Sequence, residues 1–290
     1  MNSFPRTSVG GLSVSRMIIG TNWFLGWSHT SNAKDSYIKE NISDRKKIAD
    51  VLEVFLKAGV DTIMGQITNF PLADAIKEAE DRTGRGMIIV STPHLPFTKD
   101  TPSEGFNPGE IERIIDEQAG YGTRICMPHQ CVTDSMVDRC SKEIRRMGEV
   151  CRIIRERGMI PGLSTHMPES IIYADETGLD VETYISMYNS MGFLMQVEVD
   201  WIANVIRDAK KPVMTIKPMA AGQLRPFQAL NFVWNTIRDC DMVTIGTMSP
   251  GEAEECINLS MGILEHRQAS IKLQETRSKA SLKKISFAQT

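Results

Sequence analysis

Short apolar runs alternate with longer amphipathic stretches along this chain, and the alternation occurs eight times. The apolar runs are rich in Ile, Val, Thr and Met, a composition typical of buried strands. The stretches between them repeat apolar residues every three or four positions, as helices do. The runs predicted as strands are residues 15–20, 60–64, 87–92, 123–127, 159–165, 181–189, 212–219 and 241–247.

The helical stretches carry their own start and stop signals. Asp44 is a good N-cap for the first of them, in which Ile48, Val51 and Leu52 share one face, and Gly59 ends it. The other predicted helices are residues 71–84, 107–122, 134–158, 193–210, 226–238 and 250–266, and residues 168–178, PESIIYADETG, stand between the fifth and sixth strands.

Strands that alternate with helices indicate parallel strands joined by right-handed crossovers. Eight such units in roughly 250 residues predict an α/β protein, a closed (β/α)8 TIM barrel. An open doubly wound sheet is the main alternative. That fold usually has a glycine-rich phosphate turn after its first strand, and residues 20–27, GTNWFLGW, do not fit the pattern.

Two segments lie outside the repeat. Residues 4–14, FPRTSVGGLSV, predict an N-terminal hairpin that closes the bottom of the barrel, so that residues 1–266 form a single barrel domain. Residues 267–290 carry six basic groups and one acidic group. They are interpreted as a solvated basic C-terminal tail, with nucleic-acid or partner binding as the alternative.

Composition narrows the partners and the compartment. The chain has 290 residues, 41% hydrophobic and 24% charged, with a formal net charge of −3. We expect no nucleic acid and no membrane as partner, because there is neither a basic excess nor an apolar run of about 18 residues. The N-terminus lacks a secretory signal and the six cysteines are scattered, so we expect a cytoplasmic protein with a small-molecule substrate. Homo-oligomer formation is left open.

Function in such a barrel lies at the carboxyl ends of the strands. Four of the five histidines fall at or just after a predicted strand end, counting His29 in the first loop. This concentration predicts a functional pocket, and ordinary solvated loops are the alternative. The polar residues at these ends are Asn22, Asp61, His94, His129, His166, Asn189, Lys217 and Thr247.

At this point the chain resembles a known family. Over about residues 5–265 it is similar to the aldo-keto reductase superfamily, in the segments RTSVGGLSVSRMIIGT, AGVDTIMGQ, RICMPHQ, GLSTH, SMYN, IKPMAAGQL and VTIGTMSPGEAEECI. The resemblance implies a catalytic tyrosine supported by an aspartate, a lysine and a histidine, with NADPH as hydride donor. Asp61 matches the aspartate and His129 the histidine. Gln66 stands at the tyrosine position and STPH contains no lysine, so the resemblance implies a divergent member.

The same resemblance bears on the cofactor. It implies that Ser164 contacts the nicotinamide amide, with Asn189 and Lys217 nearby. The turn at Gly246, Thr247 and Ser249 is expected to hold a phosphate at a helix N-terminus. Ile185 replaces the expected glutamine and Ile216 an aromatic residue that often stacks on the ring. NADP(H) is therefore one expectation, and a phosphorylated or sugar-like ligand in the same turn is the alternative.

The main hypothesis is non-redox acid–base catalysis by Asp61 and His129, with help from His94 and His166. An isomerase, epimerase or lyase acting on a small polar carbonyl or carbohydrate-like compound fits such a set. Trp23 and Trp27 in the first loop are candidates for stacking on a sugar face.

Three other hypotheses stay open. A divalent metal on His94, His129 and His166 would give a catalytic centre. An NADP(H)-dependent oxidoreductase with an unusual proton donor would keep the family's reaction, and Lys217 is a weaker candidate for a Schiff base. A non-catalytic binding or regulatory protein on the same fold is the alternative from another class.

Overall fold

The computed structural model describes residues 3–96, 107–269 and 276–278. A β-hairpin of β1 (Arg6–Val9) and β2 (Leu12–Ser15) precedes the barrel. The barrel strands are β3 (Met17–Gly20), β4 (Thr62–Gly65), β5 (Ile88–Ser91), β6 (Thr123–Cys126), β9 (Ile160–Pro161) with β10 (Leu163–Ser164), β11 (Tyr184–Met187), β12 (Val213–Ile216) and β13 (Met242–Ile245). All of them pair in parallel, and β13 pairs with β3. The predicted (β/α)8 TIM barrel is confirmed.

The fifth barrel strand is divided at Gly162. The part before this glycine, β9, pairs with β6, and the part after it, β10, pairs with β11. Gly162 itself donates its N–H to the carbonyl of Cys126 at 3.1 Å. A Cβ atom at this position would lie 2.7 Å from Cε of Met127 and 2.9 Å from Cγ2 of Thr183. The sheet therefore closes where only glycine leaves enough room.

Apolar side chains fill the inside of the barrel, and a larger cluster lies between the strands and the helices. The interior cluster includes one or two buried residues from nearly every strand, as alternate side chains of a closed sheet point inward. Its buried members are Val9, Val14, Ile18, Met64, Val90, Ile125, Met127, Ile185, Met214 and Met242.

The helices follow the strands as the sequence predicts, with shorter bounds. Asp44 caps α2, because its carboxylate accepts the N–H groups of Lys46 and Lys47. The helices in the described residues are α1 (Asn32–Ile42), α2 (Arg45–Lys57), α3 (Leu72–Thr83), α4 (Pro108–Gly120), α5 (Gln130–Ser135), α6 (Met147–Glu156), α7 (Glu169–Thr177), α8 (Val199–Asp208), α9 (Pro226–Thr236) and α10 (Pro250–Leu264). Helix α1 was expected to be loop, and it buries only Ile38 and Ile42.

The predicted single helix over residues 134–158 is wrong. The segment contains the end of α5, a small hairpin of β7 (Val137–Asp138) and β8 (Glu143–Ile144), and then α6. The Asp138 carboxylate accepts the N–H groups of Cys140 and Ser141 and so forms a turn. Arg146 then has a φ of 62°, which a continuous helix does not allow.

The N-terminal hairpin crosses the amino ends of the barrel strands. Thr7 donates its hydroxyl to the carbonyl of Cys240, just before β13, and the N–H of Ser15 donates to the hydroxyl of Thr62 at the start of β4. The hairpin thus covers the bottom of the barrel. Most of the predicted basic tail lies outside the described residues. No helix in the described part of the chain is long and apolar enough to cross a membrane.

Candidate functional site

A cavity of about 720 Å³ opens at the carboxyl ends of the strands, and we refer to it as the cup. Lys34 and Arg225 line it, and so do four basic or potentially basic side chains that follow strand ends: His29 after β3, His129 after β6, His166 after β10 and Lys217 after β12. They come from four separate loops, so the closed barrel itself brings them to one mouth.

Lys217 is a partly buried cation in the cup lining. It follows β12 in a left-handed conformation with φ 59°, which is uncommon for a residue with a side chain. Burial lowers the pKa of its ammonium from 10.5 to about 8. Lys217 forms no ion pair with any described residue, and the carboxylates in the cup lining are Glu252 and Glu255 of α10. The cup therefore holds a cation that the described residues do not neutralise.

The three cup histidines are neutral at neutral pH. Burial lowers the pKa of His166 to about 3, and the positive charge of Lys217 adds to the effect. Burial also lowers the pKa of His129 to about 4, with contributions from His94 and Lys217. The pKa of His29 falls for the same two reasons, burial and the charge of Lys217. Neutral imidazoles retain a nitrogen lone pair, which can accept a proton or bind a metal ion.

Asp134 fixes the loop that carries His166. Its carboxylate accepts the hydroxyl of Thr165 at 2.5 Å and the backbone N–H of His166 at 3.1 Å. The N–H of His166 and the side chain of the preceding residue are thus bonded to one carboxylate, which limits the movement of this loop.

A second group lies beside the cup, at the ends of β5 and β6. The rings of His94 and His129 are stacked with their centroids 4.1 Å apart. Sγ of Cys131 lies 3.1 Å from Nδ1 of His129 and 3.3 Å from Nδ1 of His94. The amide of Gln66 lies 2.7 Å from Nε2 of His94. Gln66 lines the cup, whereas His94 is not part of the lining and is exposed.

The placement predicted for Asp61 is wrong. Strand β4 begins at Thr62, so Asp61 lies at the amino end of the strand, and the residues at its carboxyl end are Met64 and Gly65. The Asp61 carboxylate forms an ion pair with Arg6 of the hairpin at 2.8 Å. It therefore lies on the closed bottom of the barrel, away from His129 and His166, and the predicted Asp61–His129 unit does not form.

The residues expected around NADP(H) are only partly assembled. Ser164, Lys217, Gly246 and Thr247 line the cup. Asn189 is fully buried and its amide is bonded to its own loop, accepting the N–H groups of Met191 and Phe193 and donating to the Phe193 carbonyl. Its carbonyl oxygen and one of its two N–H groups are thus occupied, and Asn189 does not line the cup.

The expected phosphate turn is filled by the protein itself. The N–H of Met248 donates to the carboxylate of Glu252 at 2.7 Å, and Ser249 accepts the N–H of Glu252 as the N-cap of α10. The indole of Trp23 packs on Gly246, where a Cβ atom would lie 2.9 Å from Cδ1 of the ring. A carboxylate occupies the anion position of this turn, so these residues do not fit a bound phosphate.

The predicted metal set also changes. In the described residues, the histidine, cysteine and carboxylate side chains close enough to share one ion are His94, His129 and Cys131, whose ligand atoms lie within 4.8 Å of one another. His166 is not in this group. Cys131 is the third member of the group, where His166 was expected.

Several residues of the site were not singled out from the sequence. Cys131 forms a C-x4-C pair with Cys126, which the sequence favours as a core thiol, and its proximity to His129 in MPHQC was not used. Lys34 and Tyr37 of α1 also line the rim, and the Lys34 ammonium lies 5.3 Å from the Trp23 ring and 5.0 Å from the Tyr37 ring. The sequence offered no pattern for that rim, because α1 itself was not predicted.

No protein-family model and no curated protein sequence matches this chain. Similar solved structures do exist, and most of those with broad coverage are aldo-keto reductases. A Pseudomonas aeruginosa protein assigned to the aldo-keto reductases is 16% identical with a TM-score of 0.63, over 89% of this chain and 95% of that one.

Two further structures give the same picture. An aldo/keto reductase from Brucella melitensis is 12% identical with a TM-score of 0.56, over 97% and 99% of the two chains. The aldose reductase from Giardia lamblia is 11% identical with a TM-score of 0.53, over 93% and 91%. The resemblance noted in the sequence is thus confirmed at the level of the fold. Identities this low carry no information about the reaction.

Proposed function

We propose that this barrel is an enzyme that binds a small anionic carbonyl compound, such as a keto acid or a sugar phosphate, and moves a proton next to the carbonyl without redox chemistry. One observation carries the proposal: a partly buried Lys217, which has no ion-pair partner among the described residues, shares the cup with three neutral histidines. A cation without a described partner attracts an anion, and its low-dielectric surroundings strengthen the attraction.

The proton step uses the groups that face the cup. His166, held through Asp134, accepts a proton from the carbon next to the carbonyl once the bound anion offsets the charge of Lys217, which otherwise lowers the pKa of this imidazole. The electron pair of that C–H bond moves onto the carbonyl oxygen, and the Lys217 ammonium stabilises the enolate that forms. Return of the proton to the opposite face of the same carbon is epimerisation, and its return to the former carbonyl carbon is isomerisation. Loss of a leaving group from the enolate is the reaction of a lyase. Asp61, which lies at the bottom, has no part in this scheme.

Deuterium exchange tests the proposal without knowledge of the physiological substrate. The protein is incubated in D2O with pyruvate or dihydroxyacetone phosphate, and loss of the C–H signal next to the carbonyl is followed by proton NMR. We expect exchange above the buffer rate for at least one probe, and a loss of about 10²–10⁴-fold in His166→Gln. Lys217→Met should weaken saturation by the anionic probe, while Lys46→Met, an exposed lysine on α2, should leave both quantities unchanged.

Absence of exchange with both probes, together with equal binding by wild type and Lys217→Met, would overturn the proposal. It would favour the non-catalytic alternative if the cup still binds an anion at another group. Oxidation of NADPH with the same probes would instead favour the reductase alternative, although the filled turn at Met248 argues against it.

A second candidate uses the same lysine covalently. Because its pKa is about 8, roughly a tenth of Lys217 is the free amine at pH 7. The amine can add to a carbonyl carbon and lose water to give an imine. Trapping with cyanoborohydride then adds the reduced probe to Lys217, which mass spectrometry of the digested protein detects. An unmodified Lys217 peptide excludes this candidate and leaves the first one standing.

A further inference from the structure

Two adjacent strand ends carry the same dipeptide and place their histidines side by side. Pro93-His94 follows β5 and Pro128-His129 follows β6. The N–H of His129 donates to the carbonyl of Pro93 at 2.9 Å, which ties the two loops together. The prolines restrict both backbones further. The two imidazoles are thus held close to each other by the main chain, before any ligand is considered.

Cys131 completes a set of three donors on the same side of the two rings. Its sulfur lies 3.1 Å from Nδ1 of His129 and 3.3 Å from Nδ1 of His94. A tetrahedral ion with metal–nitrogen bonds of about 2.0–2.1 Å and a metal–sulfur bond of about 2.3 Å requires nitrogen–sulfur separations near 3.5 Å. The observed nitrogen–sulfur separations are a few tenths of an ångström shorter. Small side-chain rotations would be enough to reach the required separation.

We infer that His94, His129 and Cys131 form a binding site for a zinc-like transition-metal ion at the wall of the cup. Two imidazoles and one thiolate, with no carboxylate in the set, favour zinc or a similarly soft divalent ion over magnesium or calcium. As the metal–sulfur bond forms, the thiol of Cys131 gives up its proton to solvent. His129 also lines the cup, so the ion lies next to whatever the cup binds. The inference does not depend on the proposed proton-transfer reaction.

Gln66 supports this site from outside the donor set. Its amide lies 2.7 Å from Nε2 of His94, the ring nitrogen that faces away from Cys131. Once Nδ1 binds an ion, Nε2 carries the ring proton and needs an acceptor, which the amide oxygen of Gln66 provides after the amide group turns over. Asn69, which now donates to that oxygen at 3.0 Å, then bonds elsewhere.

The test is direct metal binding by the full chain, purified without a histidine tag and freed of metal with a chelator. Titration with Zn²⁺ in a calorimeter should give one equivalent. Titration with Co²⁺ should give tetrahedral absorption bands and a thiolate-to-cobalt charge-transfer band. Cys131→Ser should lose the charge-transfer band, and Gln66→Leu should bind about 10–100-fold more weakly. Cys140→Ser is the matched control, because Cys140 is an exposed thiol outside the set.

Alkylation of the wild-type protein provides a second readout that needs no variant. Zn²⁺ should protect Cys131, but not Cys140, from iodoacetamide, as peptide mass spectrometry reports. The inference fails if Co²⁺ gives no charge-transfer band in the wild type, or if Cys131 is alkylated equally fast with and without Zn²⁺. Neither measurement uses turnover, so a negative deuterium-exchange assay would not contradict the metal site. Equally, failure to bind metal would not contradict the proposed proton transfer.

Discussion

Lys217 is a cation that folding removes from water without giving it an acidic partner among the described residues. Its pKa in the folded protein, about 8, is below its ordinary value of 10.5, so the fold disfavours the charged form. Such a residue lowers stability and is retained at a site for another reason, commonly the binding of an anion. The loss of stability caused by Lys217 should therefore be measurable.

We predict that Lys217→Met raises the free energy of unfolding by about 1–3 kcal/mol at pH 7. The ammonium is desolvated in the folded state below pH 8, so its removal helps most there. The gain should shrink as the pH rises from about 8 to 10.5, because the lysine then becomes neutral in the folded state first and in the unfolded state last. Urea unfolding at several pH values measures this, with Lys46→Met as the control. A destabilised Lys217→Met at pH 7 would contradict the prediction.

Asp61 provides the opposite case, a carboxylate with a structural partner. We predict that Asp61→Asn lowers stability by less than about 1 kcal/mol, because its ion pair with Arg6 is partly exposed. Deuterium exchange into the probes should match the wild type, since the pair lies at the bottom of the barrel. A loss of exchange comparable to that of His166→Gln would show that Asp61 acts in catalysis after all.

At single residues, the sequence was informative where an apolar run ended cleanly. His129 and His166 follow such ends and line the cup; Lys217, which lies inside the predicted strand 212–219, also lines it because β12 ends at Ile216. The Asp61 prediction failed because Asp61 lies at the amino end of β4, which begins at Thr62, and the mouth of the barrel is at the carboxyl end. The place of Cys131 beside the histidines was not predicted, because its partner His94 lies 37 positions away in the sequence.

At the level of elements, α10 shows how a predicted ligand site can be a structural cap. Ser249 and Glu252 satisfy backbone N–H groups at the start of this helix, the arrangement of a capping box. The sequence SPGE is compatible with a capping box and with a phosphate site, because serine and backbone N–H groups at a helix start can also hold a phosphate. The carboxylate of Glu252 decides between them in the structure.

We predict that Ser249→Ala lowers the free energy of unfolding by about 1 kcal/mol through loss of the cap. The wild type should show no saturable fluorescence change with NADPH at concentrations of about 1 mM, a limit that corresponds to weak binding. Thermal unfolding and a fluorescence titration measure the two quantities. If the wild type bound NADPH saturably and Ser249→Ala abolished the binding, the result would support a phosphate site at this turn.

The segment 134–158 shows why element boundaries are harder to predict than element types. Its apolar spacing is helical throughout, and α6 does use it. The turn at Asp138 and the left-handed Arg146 depend on hydrogen bonds that periodicity does not report. Helix α1 was not predicted for a related reason, because a mostly exposed helix with two buried residues has almost no apolar pattern.

For the whole molecule, the eightfold alternation was sufficient to predict the barrel, because parallel strands with helical crossovers have few ways to close. The exact point of closure was not predictable. It rests on Gly162, where Met127 and Thr183 approach the backbone from opposite sides of the divided strand.

We predict that Gly162→Ala destabilises the barrel by about 1–3 kcal/mol, because the added methyl group would overlap Met127 and Thr183. Gly120→Ala is the matched control, since a Cβ atom there meets no atom within 4 Å. Chemical denaturation of the two variants measures the difference. Equal stability would mean that the strand can shift to accommodate the methyl group.

The hairpin over the bottom of the barrel also makes a practical attachment point. Ser8 is exposed there, on the face opposite the mouth. A dye or a solid support coupled through Ser8→Cys would hold the protein with its opening toward the bulk solution. Single-molecule and surface-based measurements would then sample ligand entry without steric interference from the anchor.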